Sequence, residues 1–299
     1  KEAELDTLTL DIIKSTEIEG EILNPEQVRS SVARRLGMEI AGSVESDRNV
    51  DGMVDMMMDA TQNCDKSIDV ERLFGWHAAL FPTGRSGMYK ITAGGWRNDS
   101  TGPMQVVSGA IGKEKVHFQA PGSSRIESEM QRFLNWFNSD DKTDLVLKAA
   151  TAHLWFVTIH PFEDGNGRIA RVLTDMLLAR SDKSTQRFYS MSAQIRTERE
   201  MYYKILESTQ KENLDITNWM LWFLNCLMNA LNSTESILVR VLYKSAFWNK
   251  HAKTIINERQ KKLLNRLLDG FDGKLTNSKW TKIAKCSSDT ALRDIQDLI

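Results

Sequence analysis

Proline is scarce in this chain, with five residues in 299. A proline inside a helix removes a hydrogen bond and clashes with the preceding turn. Its rarity, with apolar residues recurring at helical spacing over most of the length, predicts a mainly α fold. Cysteine is scarcer still. Cys64, Cys226 and Cys286 are odd in number, widely spaced and outside any Cys-x-x-Cys or Cys/His cluster. That pattern argues against a disulfide framework or a zinc site and leaves buried free thiols. Long apolar runs are missing as well: Trp219 to Leu231 (WMLWFLNCLMNAL) is interrupted by Asn225 and Asn229 and falls short of the roughly 20 residues a membrane span needs. The opening KEAELDTLTLDIIK is acidic and amphipathic, without an apolar signal core or an initiating Met. A few native residues are therefore expected to be missing, and a cytoplasmic location is expected. There is no internal repeat and no low-complexity tract.

Net charge is only −1, but it is unevenly placed: residues 240–299 carry 13 Lys and Arg against 6 Asp and Glu, a surplus of +7 that leaves −8 for the first 239. Such asymmetry predicts a separate C-terminal module. Helices are expected over 25–36, 51–63, 70–80, 124–138, 144–159, from about 165, over 193–210 and over 216–250. The Met56-Met57-Met58 run reads as core filling, since Met adapts to irregular gaps. Gly and Pro cluster between Pro82 and Pro121, where helical periodicity stops. There the β-branched runs at Gln105-Val-Val and Lys115-Val-His-Phe flank a Gly112-Lys113 turn, predicting a β-hairpin inserted into a helical protein. From Ile255 onward the pattern is a helix, a Gly-rich turn with a short extended piece, and two short helices, the last with Ser288 as N-cap. This is a winged-helix-like arrangement whose wing would lie past Ile299. Its basic surplus makes DNA contact through 255–299 a candidate role, beside packing or homodimerisation.

The chemistry concentrates in HPFEDGNGRIAR, residues 160–171. Pro161 cannot continue a helix and drives its neighbour out of the α region, so His160 is presented on a loop at a helix end. Gly165 and Gly167 bracket Asn166 where a new helix should begin, placing free backbone N–H groups at a positive helix end, an anion site. Arg168 and Arg171, three residues apart, lie on one face of the first turns near that anion, and two guanidinium forks suit a polyphosphate. Asp164 is placed to hold Mg2+, a hard cation that commonly bridges phosphates, whereas Glu163 alternates away as a bystander. A histidine beside a bound phosphoanhydride suits general base work. The constellation reads as nucleotidyl or phosphoryl transfer.

These twelve residues resemble, at every specified position, the HxFx(D/E)GNGRxxR signature of the Fic family of AMP transferases. The resemblance extends through AATAHLWFVTI (149–159), the hairpin, and IRTEREMYYKIL (195–206), covering most of residues 1–230. It implies a mainly α, Fic-type helical bundle with an inserted β-hairpin flap, to which the small winged-helix-like C-terminal module read above is added. The body would span 1–240, with a Fic core at about 70–215. It implies that His160 deprotonates a Ser, Thr or Tyr hydroxyl of a target protein, which attacks the α-phosphate of ATP. Asp164 would bind Mg2+; Gly165, Asn166, Gly167 and Arg168 would hold the α and β phosphates, and Arg171 would reach the γ phosphate. Phe162 would pack inward, and the 104–118 flap would align the target by main-chain pairing. Tyr202 and Tyr203 are candidates for the adenine pocket and equally for the core. Glu198 stands where relatives often show Asn, leaving the base contact open. His153 reads as a core or supporting residue, and His77 and His117 carry no motif.

Residues 15–20, STEIEG, resemble the family's (S/T)xxxE(G/N) inhibitory helix, here expected at about 10–22. Glu19 would pair bidentately with Arg171 and occupy the fork meant for the γ phosphate, while Ser15 would steady the helix by a local hydrogen bond. The leading expectation is a protein adenylyltransferase using ATP and Mg2+ and autoinhibited by Glu19. The alternatives are another nucleotide or phosphocholine donor, deadenylylation, or a nucleotide-sensing DNA-binding regulator.

Overall fold

The computed structural model of the chain describes residues 1–40, 42–100, 102–109, 115–211, 214–271 and 273–299; the anticipated Gly112-Lys113 turn lies outside them. Helices dominate, and their starts follow from side chains that accept the otherwise unpaired N–H groups of the first turn. α1 (Glu2–Ile18) carries Glu2 and Glu4 at its positive end. α2 (Pro25–Arg35) is opened by Asn24 and has Pro at its first position. α3 (Arg48–Gln62) begins three residues before the expected Asp51 because the Asp47 carboxylate caps it, and Asp69 caps α4 (Val70–Leu80).

Two small antiparallel hairpins follow. β1 (Arg85–Ser86) pairs with β2 (Tyr89–Lys90), and β3 (Gln105–Ser108) pairs with β4 (Lys115–Gln119), with an irregularity between Val106 and Val107. The second is the expected insertion; the first, only two residues per strand, was below what a sequence pattern can register.

A 3-10 turn at Ser123–Arg125 leads into α5 (Ile126–Phe137), followed by α6 (Leu145–Ile159) and α7 (Asn166–Asp182). The single helix expected over 193–210 is two, α8 (Met191–Thr197) and α9 (Arg199–Lys211), parted at Glu198 with φ −102 and ψ 26. Glu198 is drawn away by α10 (Thr217–Lys250), whose Trp222 Nε1 and Asn229 Nδ2 donate to its carboxylate at 3.1 and 3.2 Å.

One apolar core unites α1 to α10. Met56, Met57 and Met58 lie in it, as do Cys64 and Cys226; Cys286 is only half-buried, against expectation, because it sits at the edge of the small C-terminal core. α1 runs through the middle of the body, packed on α2, α3, α7, α8 and α10. Its Leu5, Leu8, Ile12 and Ile18 are buried, and at about 1.5–3 kcal/mol for each aliphatic side chain their combined burial rivals the stability of a whole domain. A buried polar tie adds to this: the Asp11 carboxylate accepts from the Ser190 hydroxyl and from Ser192 N at the start of α8.

α11 (Glu258–Leu268), α12 (Asn277–Ala284) and α13 (Ser288–Gln296) enclose a separate core of Leu263, Trp280 and Ala291. α13 is capped by Ser287, one residue earlier than expected, its hydroxyl accepting from Thr290 N. Between α11 and α12 the described residues contain no strand, and Gly270 and Gly273 both take positive φ. α10 is unbroken to Lys250 and meets α11 through Trp248 Nε1 to Asn265 at 2.9 Å and Lys244 to Asp269 at 2.7 Å. Among the described residues no helix is long and apolar enough to cross a membrane.

Candidate active site

The antiparallel pair α6 and α7 frames the motif, and the intervening loop is built from its own side chains. α6 ends at Ile159, and His160 takes a left-handed conformation (φ 53, ψ 56), one a histidine tolerates, while Pro161 disfavours continuation of the right-handed α region. His160 Nδ1 lies 3.2 Å from Val157 O. A carbonyl only accepts, so the proton resides on Nδ1 and Nε2 keeps its lone pair. Burial lowers the imidazole pKa below its ordinary 6.5; the Val157 carbonyl opposes that shift and the Arg97 guanidinium adds to it. His160 is therefore an unprotonated base at neutral pH.

Arg97, buried and outside any recognised motif, ties this loop to the root of the flap. Its Nε donates to His160 O at 2.7 Å, its backbone N to Pro161 O at 2.9 Å, and its remaining nitrogens to Asp99 and Pro121 O.

Phe162 is fully buried among Phe74, His77, Trp96 and Phe156, as the resemblance implied. His77 stacks on it at 4.1 Å. Gly94 N donates to His77 Nδ1, so the ring proton is on Nε2, which donates to Asp164 O at 3.1 Å; burial pushes the His77 pKa down to about 4. A neutral His77 thus holds the carbonyl that starts the glycine loop. Asn166 closes the same loop: its amide bonds Phe162 N and O at 3.0 and 2.8 Å. Its side chain shapes the loop, and what it can offer an anion is backbone N–H. Glu163 is no bystander, because its carboxylate accepts from Thr92 N and Oγ1 at 3.1 Å each. Asp164 accepts from the Ser86 hydroxyl and from Gly165 N and remains 40% exposed.

At the other end of the motif, α1 has arrived first. Glu19, closing α1, places Oε1 2.7 Å from Arg171 Nη2 and so close to Gly167 that a Cβ there would lie 2.2 Å from it. The carboxylate occupies the mouth of the α7 N-terminus, the position expected for an anion. The pairing uses one oxygen, not the bidentate fork anticipated, because Arg171 is shared with Ser15. Its Nε donates to Ser15 Oγ at 2.9 Å and its Nη2 to Ser15 O at 2.8 Å. Ser15 therefore steadies the arginine, not its own helix as expected. Burial works against the Arg171 charge, but Glu19, together with Tyr202 and Tyr203, more than offsets it, so the guanidinium pKa is raised.

Two residues on, Glu21 Oε2 pairs with Arg168 Nη1 at 2.9 Å. Both arginines assigned to phosphate thus meet carboxylates from the end of α1. Arg168 Nε and Arg171 Nη1 are buried without a hydrogen-bond partner; unpaired buried cationic donors are costly and suit an incoming anion.

Beside His160 opens a cavity of about 620 Å3, walled by β3, β4, α9, Gly167 and Glu19, within the range that holds one small-molecule ligand. Tyr203 lines it, with its hydroxyl 3.4 Å from Glu19 Oε2. Tyr202 belongs to the core: its OH donates to His153 Nε2 at 2.9 Å, and His153 Nδ1 donates to Thr174 Oγ1 at 3.0 Å. Burial, then Arg171, holds His153 down at a pKa of about 3, so it is a neutral core residue. Glu198 faces α10 and is absent from the cavity wall. Among the described residues no cluster of three or more His, Cys, Asp or Glu could hold a metal alone. Asp164, a single half-exposed carboxylate beside a phosphate-type site, fits a Mg2+ ion that takes its other oxygens from phosphates and water.

His77, Arg97, Ser86 and Glu21 escaped the sequence reading. For His77, Arg97 and Ser86 no local signal exists, since each acts on a loop at least 63 residues away. Glu21 had one: a second carboxylate just past the helix end in IEGEIL.

Comparison with known proteins places this geometry. Residues 67–178 match the Fic/DOC family, and residues 1–38 match a domain of unknown function, DUF4172. Proteins named "Protein adenylyltransferase Fic" from Drosophila virilis and Drosophila melanogaster are each 48% identical over 63 residues, 20% of this chain and 13% of theirs. The match therefore spans about an eighth of the length of these relatives. Among solved structures, a Fic family protein from Desulfovibrio desulfuricans G20 aligns with 96% of this chain and 77% of its own, at 21% identity and a TM-score of 0.54. A Fic domain containing signaling protein from Bacteroides thetaiotaomicron aligns over 80% and 88%, at 21% identity and a TM-score of 0.52.

Proposed function

The chain is a Fic-family protein, and on that premise we propose that it transfers AMP from ATP to a Ser, Thr or Tyr hydroxyl of a target protein and is held back by Glu19. The observation that carries this reading is the unprotonated Nε2 of His160 at the wall of a cavity that also contains the α7 N-terminus. His160 Nε2 takes the proton of the target hydroxyl as its oxygen attacks the α-phosphorus. The bond from that phosphorus to the bridging oxygen breaks, and pyrophosphate leaves. Backbone N–H groups of Asn166 and Gly167 and the Arg168 guanidinium hold the α and β phosphates, the Gly165 N–H being taken by the Asp164 carboxylate. Arg171 takes the γ phosphate once Glu19 has left it. Mg2+, when bound to Asp164, neutralises phosphate charge. The β3–β4 flap aligns the target segment by strand addition.

The test is transfer of α-labelled phosphate from ATP with Mg2+ to the proteins of a cell lysate, by wild type, Glu19→Gly, and Glu19→Gly with His160→Ala. Label in Glu19→Gly that vanishes with His160→Ala supports transfer; ATP binding without label in any variant overturns it. The +7 surplus over residues 240–299 favours a second role, DNA contact through the C-terminal helices. It predicts salt-dependent binding that is lost when 255–299 is deleted; no binding at low salt removes it.

A further inference from the structure

His117, unassigned by any motif, stands in a relay at the rim of the cavity. Its Nδ1 lies 2.6 Å from Glu207 Oε2 on α9, and its Nε2 lies 2.6 Å from Ser108 Oγ on the flap. Glu207 is a carboxylate, drawn down to a pKa of about 2 by Lys211 first and then by His117. A carboxylate only accepts, so in the neutral ring the proton sits on Nδ1. Nε2 is then left to accept the Ser108 hydroxyl hydrogen. Nucleophile, base and orienting carboxylate are arranged as nucleophilic serines require. Ser108 is exposed, and all three residues line the same single-ligand cavity as His160 and Gly167.

The geometry points to Ser108 as a built-in acceptor: a flap hydroxyl, activated by His117 and Glu207, that takes AMP from a nucleotide bound in that cavity. This rests on the proposed transfer reading. Ser108 Oγ attacks the α-phosphorus, and its proton passes to His117 Nε2, with Glu207 stabilising the resulting imidazolium. The bond to the bridging oxygen breaks and pyrophosphate departs, leaving a serine AMP monoester on the strand that would pair with a target. A latch that merely fastens the flap to α9 needs no acid–base order in these three groups and predicts no adduct.

The experiment incubates the full chain carrying Glu19→Gly with Mg2+ and ATP, measures pyrophosphate release, and maps AMP adducts by peptide mass spectrometry. An adduct on Ser108 that falls about a hundred-fold with His117→Asn supports the inference; Asn can keep the hydrogen bond to Glu207 but is not a base. Ser108→Ala must remove that adduct. Pyrophosphate release or label elsewhere with Ser108 unmodified overturns the inference and leaves the transfer reading standing. An adduct insensitive to His117→Asn overturns the relay. No pyrophosphate from the chain alone overturns the inference, and labelling of a cell lysate then decides the transfer reading.

Discussion

The two ends of the 160–171 segment are finished differently. At the His160 end the base is ready: its proton is on the side facing Val157, and its free nitrogen is kept unprotonated by burial. At the arginine end both guanidinium groups are engaged, because Arg171 holds Glu19 and Ser15 while Arg168 holds Glu21. The difference teaches that, if the proposed transfer holds, the α1 carboxylates would act on phosphate binding and leave the imidazole alone. It also locates where the restraint can yield. α1 is woven into the core up to Ile18, whereas the side chains of Glu19 and Glu21, just past its end, are partly exposed.

The sharpest way to break this comparison is at the ready end. His160→Ala in the Glu19→Gly background should lower the transfer rate by about 10²–10⁴-fold, the usual worth of a general base, with ATP affinity by calorimetry nearly unchanged. Equal loss of affinity would mean that the imidazole belongs to the binding end. Ile12→Ala should destabilise the whole body by about 2–5 kcal/mol, seen in denaturant unfolding; activation without such a loss would show that α1 undocks as a unit. Glu19→Gly should raise ATP affinity and transfer by about ten-fold, roughly 1.4 kcal/mol. Unchanged labelling would remove Glu19 as the restraint.

Glu21→Ala should give a smaller gain, about two- to three-fold and in ATP affinity alone, since this carboxylate is half exposed and such pairs contribute at most about 1 kcal/mol. No added gain over Glu19→Gly would leave Arg168 outside the restraint. The smallest effect is in pH. Because the His160 pKa is lowered, its free-base form persists below pH 6.5, so the acid limb of kcat should fall below that value. A limb above it would contradict the burial-driven shift.

Much of this was legible without coordinates. Pro161, the paired glycines and the i, i+3 arginines are local instructions, and α6, the loop and α7 follow from them within a few residues. The inserted hairpin was visible in its β-branched runs, and the pairing of Glu19 with Arg171 in STEIEG. The break at Glu198 was not, because helical spacing continues through it and only Trp222 and Asn229 of α10 pull that carboxylate aside. Nor was the hydrogen-bond role of Ser15, which depends on where Arg171 arrives.

What the sequence determined by itself, then, is the set of groups whose function depends on near neighbours: the helix ends, the glycine loop, the base and its guanidinium companions. What only tertiary structure decided is how those groups are occupied. His77 and Arg97 set the loop from 87 and 63 residues away, Glu21 reaches Arg168 across 147, and Glu207 reaches His117 across 90. Periodicity and capping act over a turn or two of chain, whereas hydrogen bonds and ion pairs depend on distance in space, and the folded core alone brings these partners within reach.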